Sequence, residues 1–257
     1  MPLDTSTYSL ALLRLDGRRW NELRRISAQI STQPSADGSS YLEMGNTKII
    51  CTITGPSDGK ATTRLASTNV GGVDRADIQV AINIAGFSGV DRKRKAKNDK
   101  RLTEMQTIIA NAFAESLFTN HYPFSTISIN LDILSQDGSI LAALINASTL
   151  ALIDSGIPMR DYISACTAGS TSSYSSNDEA ADPILDLNNM EEQELPSLTV
   201  ATLGASNDVS VLMMETKVQL GRFEGMLAVA LDGCKQVRKI LDGIVREKGA
   251  KILGSNS

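Results

Sequence analysis

Residues Asp91 to Arg101 (DRKRKAKNDKR) carry seven basic and two acidic side chains, a net charge of +5. Lysines and arginines at this density can neutralise several phosphates, which gives salt-dependent binding that is indifferent to base sequence. The stretch leads into a predicted helix at Leu102, so Lys100 and Arg101 lie where the positive end of the helix dipole adds to their own charge. A solvated loop or a localisation signal is the alternative. Because aromatic residues make up only 4% of the chain, base stacking is not expected to dominate.

Residues Asn177 to Glu194 form a strongly acidic stretch, with seven acidic and no basic side chains. Paired carboxylates such as Asp182 with Asp186, or Glu191 with Glu192, could bind magnesium and support phosphoryl chemistry. An exposed acidic surface loop is the favoured interpretation, because no phosphate-binding motif accompanies these acids.

Other catalytic chemistries find little support in the sequence. The dipeptide Asp137-Gly138 and Ser139 precede a predicted buried helix, but neither glycine-rich nucleotide-binding pattern occurs, so we interpret them as a strand-to-helix turn that needs small residues. His121, the only histidine, is interpreted as a cap or packing residue. The three cysteines are odd in number and far apart, which predicts buried free thiols in a reducing compartment (Cys51, Cys166 and Cys234).

Alternating and helical hydrophobic patterns define the elements that must position these residues. A hairpin is predicted around Gly45-Asn46, and the apolar helix after Ser139 is expected to end at Gly156. The predicted strands are 39–53 (the hairpin), 76–84, 125–134, 162–168, 198–203 and 209–215, and the predicted helices are 102–118, the segment ending at 156, and 222–248.

The order of elements predicts an α+β fold with mixed sheets and a long C-terminal helix. We expect one domain over residues 1–257, with an N-terminal arm at 1–12 and a flexible Ser/Thr-rich insertion at 169–177. A formal net charge of −4 and 42% hydrophobic residues are typical of a folded globular protein. The absence of a long apolar run or a signal-peptide pattern predicts a soluble, intracellular protein.

Four segments together resemble the RNase PH family and, within it, the RNase PH-like ring subunits of the eukaryotic RNA exosome. They are LRLDGRRWNELRRI (13–26), ADGSSYLEMGNTKIICTITGP (36–56), STISINLDILSQDGSILAALINASTLALIDSGIPMRDYISA (125–165) and ILDLN (184–188). The resemblance covers essentially the whole chain, although 57–75 and 169–177 stand out as insertions. It implies an RNase PH fold (similar to domain 2 of ribosomal protein S5), two β-α-β halves, and a six-membered ring with RNA in the central pore.

The resemblance also implies the loss of catalysis. Active relatives cleave RNA from the 3′ end with inorganic phosphate and grip that phosphate with a Gly-Gly-Thr-Arg turn. Here the turn is Gly138, Ser139, Ile140 and Leu141, so hydrocarbon replaces both the threonine and the arginine. A leucine can neither neutralise nor hydrogen-bond a phosphate. The resemblance therefore predicts no catalytic residues.

The magnesium-binding aspartates of the family correspond to positions near Gln193 and Ser197, so we expect no metal site and no cofactor. The alternative is an active, magnesium-dependent, phosphorolytic 3′-5′ exoribonuclease that uses Glu191, Glu192 or Asp186. A small-molecule enzyme of the same superfamily is a third hypothesis, which would need the nucleotide-binding glycine loop that this sequence lacks.

The resemblance also implies that the chain keeps a path of basic residues for RNA. Lys100 and Arg101 match two basic residues that line the pore in family rings, and the residues before them extend the positive surface (Arg92, Arg94, Lys95 and Lys97). The implied function is a non-catalytic, RNA-binding structural subunit that threads single-stranded RNA to a 3′-5′ exoribonuclease. The implied partners are other RNase PH-like subunits, S1/KH-domain cap proteins and a hydrolytic exoribonuclease, with no membrane association, in the nucleus, nucleolus and cytoplasm.

Overall fold

The computed structural model of the chain describes residues 14, 16–58, 75–89, 92, 99–171, 183–206 and 208–255. These residues form two sheets with helices packed on and between them. The strands are β1 (Ile26–Ile30), β2 (Gly38–Met44), β3 (Thr47–Asp58), β4 (Asp77–Ile84), β5 (Ser125–Ser135), β6 (Ile163–Ser170), β7 (Pro183–Leu185), β8 (Ser197–Leu203) and β9 (Val209–Met214). The helices are α1 (Lys100–Ser116), α2 (Ile140–Ser155), α3 (Asn189–Glu194) and α4 (Leu220–Ser255), with a 3₁₀ turn at Thr119–His121.

The first sheet has the strand order β1-β2-β3-β5-β4. Its strands pair antiparallel except β4 and β5, which run parallel because α1 crosses between them. The alternation in β5 places Ile127, Ile129, Leu131 and Ile133 in the core, all fully buried. The sheet is therefore mixed, and β4-α1-β5 forms the first β-α-β unit.

The second sheet has the order β7-β6-β8-β9, and all of its neighbouring strands are antiparallel. Since β7 and β8 both oppose β6, they run parallel to each other, and β7-α3-β8 forms the second β-α-β unit. Helix α4 packs on β6, β7 and β8 and also reaches β1. The predicted α+β fold, with two β-α-β halves and a long C-terminal helix, is confirmed, although only the first sheet is mixed and the second is antiparallel.

Helix α2 lies between the two sheets and contacts β2, β3 and β6. This position explains why its sequence is apolar on every side: twelve of its residues, from Leu141 to Leu152, are buried. Its polar residues bond to backbone, as where the Asn146 amide pairs with both the carbonyl and the N–H of Ala165 in β6. The helix ends at Gly156, whose positive φ of 70° provides the predicted C-cap.

Several boundaries differ from the sequence predictions. Helix α4 is longer at both ends than 222–248, and β1, β7 and α3 were not predicted. Strand β6 extends through Gly169 and Ser170, the first residues of the predicted flexible insertion, because they pair with Ile184 and Pro183. Residues 172–177, the arm at 1–12 and most of the insertion at 57–75 lie outside the described residues.

The three cysteines are free and buried, as predicted. Burial raises the pKa of the Cys51 and Cys234 thiols to about 12 and also raises the pKa of Cys166, so none is a ready nucleophile. His121 is exposed and stacks on Phe118, a packing role. Within the described part of the chain, no helix combines the length and apolar character needed to cross a membrane.

Candidate functional site

The turn between β5 and α2 is held in a conformation that only small residues tolerate. Gly138 has a φ of 77°, and a Cβ added there would lie 2.6 Å from the carbonyl oxygen of Leu187. Ser139 follows in the left-handed region, with a φ of 55°. The Thr47 hydroxyl fastens the turn by donating to the Gly138 carbonyl (2.9 Å) and accepting from the Asp137 N–H (3.1 Å). This confirms the interpretation of these residues as a tight strand-to-helix turn.

The two positions that follow the turn are apolar and packed. Leu141 is buried, with 6% of its surface exposed, and Ile140 is half-buried against the same core. Both line a small cavity of about 20 Å³. The other lining residues are Arg101, Met105, Glu192, Ser197, Thr199, Met213 and Glu215. The two side chains for which the resemblance implies a threonine and an arginine in active relatives therefore present hydrocarbon to this cavity.

Glu192 reaches into this cavity from α3. Its Oε2 accepts a hydrogen bond from the Ser139 N–H at 3.0 Å, at the N-terminus of α2. Its Oε1 lies 3.9 Å from Nη2 of Arg101, which in turn lies 3.8 Å from Oε1 of Glu215. Burial raises the pKa of the Glu192 carboxyl, although the Ser139 N–H and Arg101 oppose the shift.

Asp186 lies behind the turn and is completely buried. Arg24 binds it with Nε at 3.1 Å, Nη2 at 2.8 Å and the backbone N–H at 2.8 Å. The Ser139 hydroxyl donates to it at 3.1 Å. Burial by itself would raise the pKa of Asp186, but the charge and hydrogen bonds of Arg24 outweigh it and hold the pKa below the ordinary value. The carboxylate is an internal structural anion that ties the start of β1 to this turn.

Glu191 is also buried and also paired with an arginine. Its Oε1 accepts from Nε of Arg14 at 2.9 Å, its Oε2 forms an ion pair with the same guanidinium, and Oε2 also accepts from the Asn188 N–H at 3.0 Å. Arg14 continues to the carbonyls of Leu185 and Asp186. Sequence reasoning missed Arg14, for which the only signal was the surplus of arginines before β1, from position 14 to position 25.

The predicted exposed acidic loop is therefore wrong for the described part of 177–194. Asp186 and Glu191 are among the most buried residues of the chain, because arginines from the N-terminal segment neutralise them. Residues 177–182 lie outside the described residues.

The described acids do not fit a magnesium site. Asp186 and Glu191 already direct their oxygens to arginines and backbone N–H groups, and Glu192 accepts from Ser139. Of the two residues near which the resemblance places the family aspartates, Gln193 is exposed and bonds to Asn189, whereas Ser197 lines the cavity. In the part of the chain that the structure describes, no three His, Cys, Asp or Glu side chains gather where they could hold a metal ion.

Of the predicted RNA-binding residues, Lys100 and Arg101 form the first turn of α1 and are exposed. The Asp99 side chain caps this helix by accepting from the Arg101 N–H at 3.1 Å. Arg101 lines the cavity together with Ile140 and Leu141, so this member of the basic pair lies beside the start of α2. Arg92 is exposed, while Arg94, Lys95 and Lys97 lie outside the described residues.

Comparison with known families places this site in context. The model of the 3′ exoribonuclease family, domain 1 (RNase PH) matches residues 22–158, and the model of domain 2 of the same family matches residues 161–233. The chain belongs to the RNase PH family. The boundary between the two family domains falls just before β6, so the turn that follows β5 is in domain 1 and Glu191 and Glu192 are in domain 2.

Individual relatives resemble the chain over nearly its whole length. It is 39% identical to the exosome complex component SKI6 of Saccharomyces cerevisiae over 252 residues, 97% of each chain. It is 35% identical to the exosome complex component RRP41 of Homo sapiens, over 91% of each chain. The predicted resemblance to RNase PH-like ring subunits of the eukaryotic exosome is confirmed, and these relatives narrow it to the subunit called ribosomal RNA-processing protein 41, or the superkiller type.

Solved structures share the fold at lower identity. Rice Rrp46 superposes with a TM-score of 0.74 at 21% identity, covering 89% of this chain and 98% of that one. A chain of the Archaeoglobus fulgidus exosome with RNA bound to the active site gives a TM-score of 0.73 at 17% identity, covering 91% of this chain and 95% of that one. These structures confirm the RNase PH fold.

Proposed function

We propose that the chain is a non-catalytic, RNA-binding subunit of an exosome core ring. It would pass single-stranded RNA through the pore to a 3′-5′ exoribonuclease. The proposal is supported by relatives from yeast and human that are named as exosome components and match it nearly end to end. The partners we propose are other RNase PH-like subunits, S1/KH-domain cap proteins and a hydrolytic exoribonuclease, acting in the nucleus, nucleolus and cytoplasm.

The proposed loss of catalysis rests on one observation: the two residues that follow the turn, Ile140 and Leu141, are apolar. Phosphorolysis needs groups that stabilise the charge of the attacking phosphate and of the leaving diphosphate. The side chains of Ile140 and Leu141 offer neither charge nor hydrogen bonds to an anion in the cavity that they line. The alternative, an active exoribonuclease, could use Asp186 or Glu191 only by breaking a buried ion pair, which leaves Glu192 as its remaining candidate acid.

The basic pair supports the RNA-binding part of the proposal. Lys100 and Arg101 are exposed at the start of a 17-residue helix, where the backbone dipole also favours a phosphate. No base-reading group is needed, because a subunit that passes many RNAs along a channel benefits from contacts to the backbone alone.

Edge strand β9 supports assembly with other chains. It is the last strand of the second sheet, and it exposes Val209, Leu212 and Met214. An edge strand with exposed apolar side chains can pair with another chain, which would cover both the unpaired backbone and the apolar surface.

A phosphorolysis assay tests the proposed loss of catalysis. The chain is reconstituted with its ring neighbours, without the hydrolytic nuclease, and given single-stranded RNA, magnesium and inorganic phosphate. We expect no nucleoside diphosphate above the background without phosphate, while a phosphorolytic RNase PH enzyme degrades the same RNA. Phosphate-dependent diphosphate release that disappears on Glu191→Gln and Glu192→Gln substitution would overturn the proposal.

Assembly is tested separately. We expect the purified chain to form a defined larger complex when it is mixed with RNase PH-like subunits of an exosome, because family rings bury extensive surface between neighbours. Light scattering coupled to size exclusion measures the masses. A chain that stays monomeric in the presence of these partners would exclude a ring subunit.

A further inference from the structure

Glu192 places a carboxylate where an external anion would otherwise bind. The first turn of α2 contains no acidic residue of its own, and its leading N–H groups and dipole favour a negative charge. That charge comes from α3, since Glu192 Oε2 accepts the Ser139 N–H at 3.0 Å. The side chain is largely buried, with 23% of its surface exposed, so solvent screens it weakly.

The same carboxylate lies beside the arginine assigned to RNA. Arg101 Nη2 is 3.9 Å from Glu192 and 3.8 Å from Glu215, so one guanidinium faces two carboxylates. Lys100 differs, because no carboxylate of the described residues lies within ion-pair distance of it. The two members of the basic pair are therefore unequal: Lys100 is available to a phosphate, and Arg101 is partly neutralised.

We propose that Glu192 is an internal competitor of RNA: it takes the anion position at the start of α2 and restrains Arg101, so an RNA phosphate must displace it to bind there. This inference rests on the proposed RNA-binding function, and it explains how RNA binding at Arg101 is weakened. A path that passes RNA along must release each phosphate readily, and a built-in competing carboxylate shortens the residence of RNA at Arg101.

The chain offers a matched pair of variants. Glu192→Gln and Glu215→Gln each remove one negative charge next to Arg101, and glutamine at position 192 can still accept the Ser139 N–H. Glu215 is 55% exposed and solvent screens its charge, whereas Glu192 is largely buried. If net charge were all that mattered, the two variants would bind RNA equally well.

The experiment measures fluorescence anisotropy of a labelled single-stranded RNA on the reconstituted ring at low salt. We expect Glu192→Gln to tighten binding by at least about fivefold, the effect of losing one charge about 4 Å away even at the full screening of bulk water. Glu215→Gln should change it by no more than about twofold, as is usual for exposed pairs. In a ring that also carries Arg101→Gln, the Glu192→Gln gain should vanish. Unchanged thermal midpoints show that the variants fold.

Three results would overturn the inference: no gain from Glu192→Gln, an equal gain from Glu215→Gln, or a gain that persists without Arg101. Charge reversal of Lys100 and Arg101 separates this failure from failure of the proposed function. If the reversal weakens RNA binding but Glu192→Gln has no effect, the RNA path stands and the competitor is refuted. If the reversal itself has no effect, both are refuted.

Discussion

Replacing Asp186 with asparagine is expected to lower the free energy of unfolding by roughly 3–5 kcal/mol, the cost of removing one partner from a buried ion pair. The carboxylate is fully buried and binds Arg24 through three hydrogen bonds, while Arg18 lies 3.9 Å away. Asparagine preserves the shape and some hydrogen bonds, but it leaves the buried guanidinium of Arg24 without a counter-charge.

Urea unfolding of the full chain, followed by circular dichroism, measures this loss. The control is Asp208→Asn, which removes an exposed carboxylate and should change the stability by no more than about 0.5 kcal/mol. A loss below about 1 kcal/mol for Asp186→Asn would show that the pair contributes little to the fold.

The pH dependence gives this prediction a second readout. The pKa of Asp186 is lower in the folded chain than its ordinary value of 3.8, so the ionised form stabilises the fold. That contribution is fully present above pH 3.8 and is lost as the pH falls through the folded pKa. The wild-type protein and the Asp186→Asn variant should therefore differ most near neutral pH and converge in acid.

Reversing both charges in Lys100→Glu, Arg101→Glu is expected to weaken the binding of single-stranded RNA by about 100-fold at low salt. The change removes two phosphate contacts and adds two repulsive charges at the same place, and each contact to a single strand contributes about 0.7 to the salt slope. Both side chains are exposed, so the substitution leaves the core intact.

RNA protection in the reconstituted ring measures the effect, with size exclusion to confirm that the ring still forms. Lys235→Glu, Lys239→Glu is the charge-matched control, because both lysines are exposed on α4, a helix that makes no extensive contact with α1. We expect the control to retain most of the RNA binding. Equal protection by the wild-type ring and the Lys100, Arg101 variant would exclude this pair from the RNA path.

Both predictions concern residues around the turn that precedes α2. The turn at Gly138 and Ser139, Asp186 beneath it and the basic pair beside it all have structural or RNA-binding reasons to persist. Ile140 and Leu141 pack against the core, at positions where the resemblance to the family implies a threonine and an arginine in active relatives. If the proposed function is right, this site has lost its reaction and kept its architecture.

Periodic patterns predicted the large elements well. Strand β5 alternates four buried residues with polar ones, and α2 is apolar on every side, so local sequence alone predicts both. Short elements escaped prediction: β7 has three residues and α3 has six, too few to show a period. Their structure depends on pairing with β6 and on the arginines that neutralise α3, contacts that no local pattern reveals.

The sequence by itself determined the fold class, the family and the apolar residues that follow the Gly138-Ser139 turn, because these depend on residue identities along the chain. Only the tertiary structure decided which acids are available. Glu191 and Asp186 look like surface carboxylates until Arg14 and Arg24, more than 160 positions earlier, are brought against them. In the folded chain, Glu192 also lies against Ser139 and Arg101. An acid's availability is set by its desolvation and its charged neighbours, and both are properties of the packed molecule.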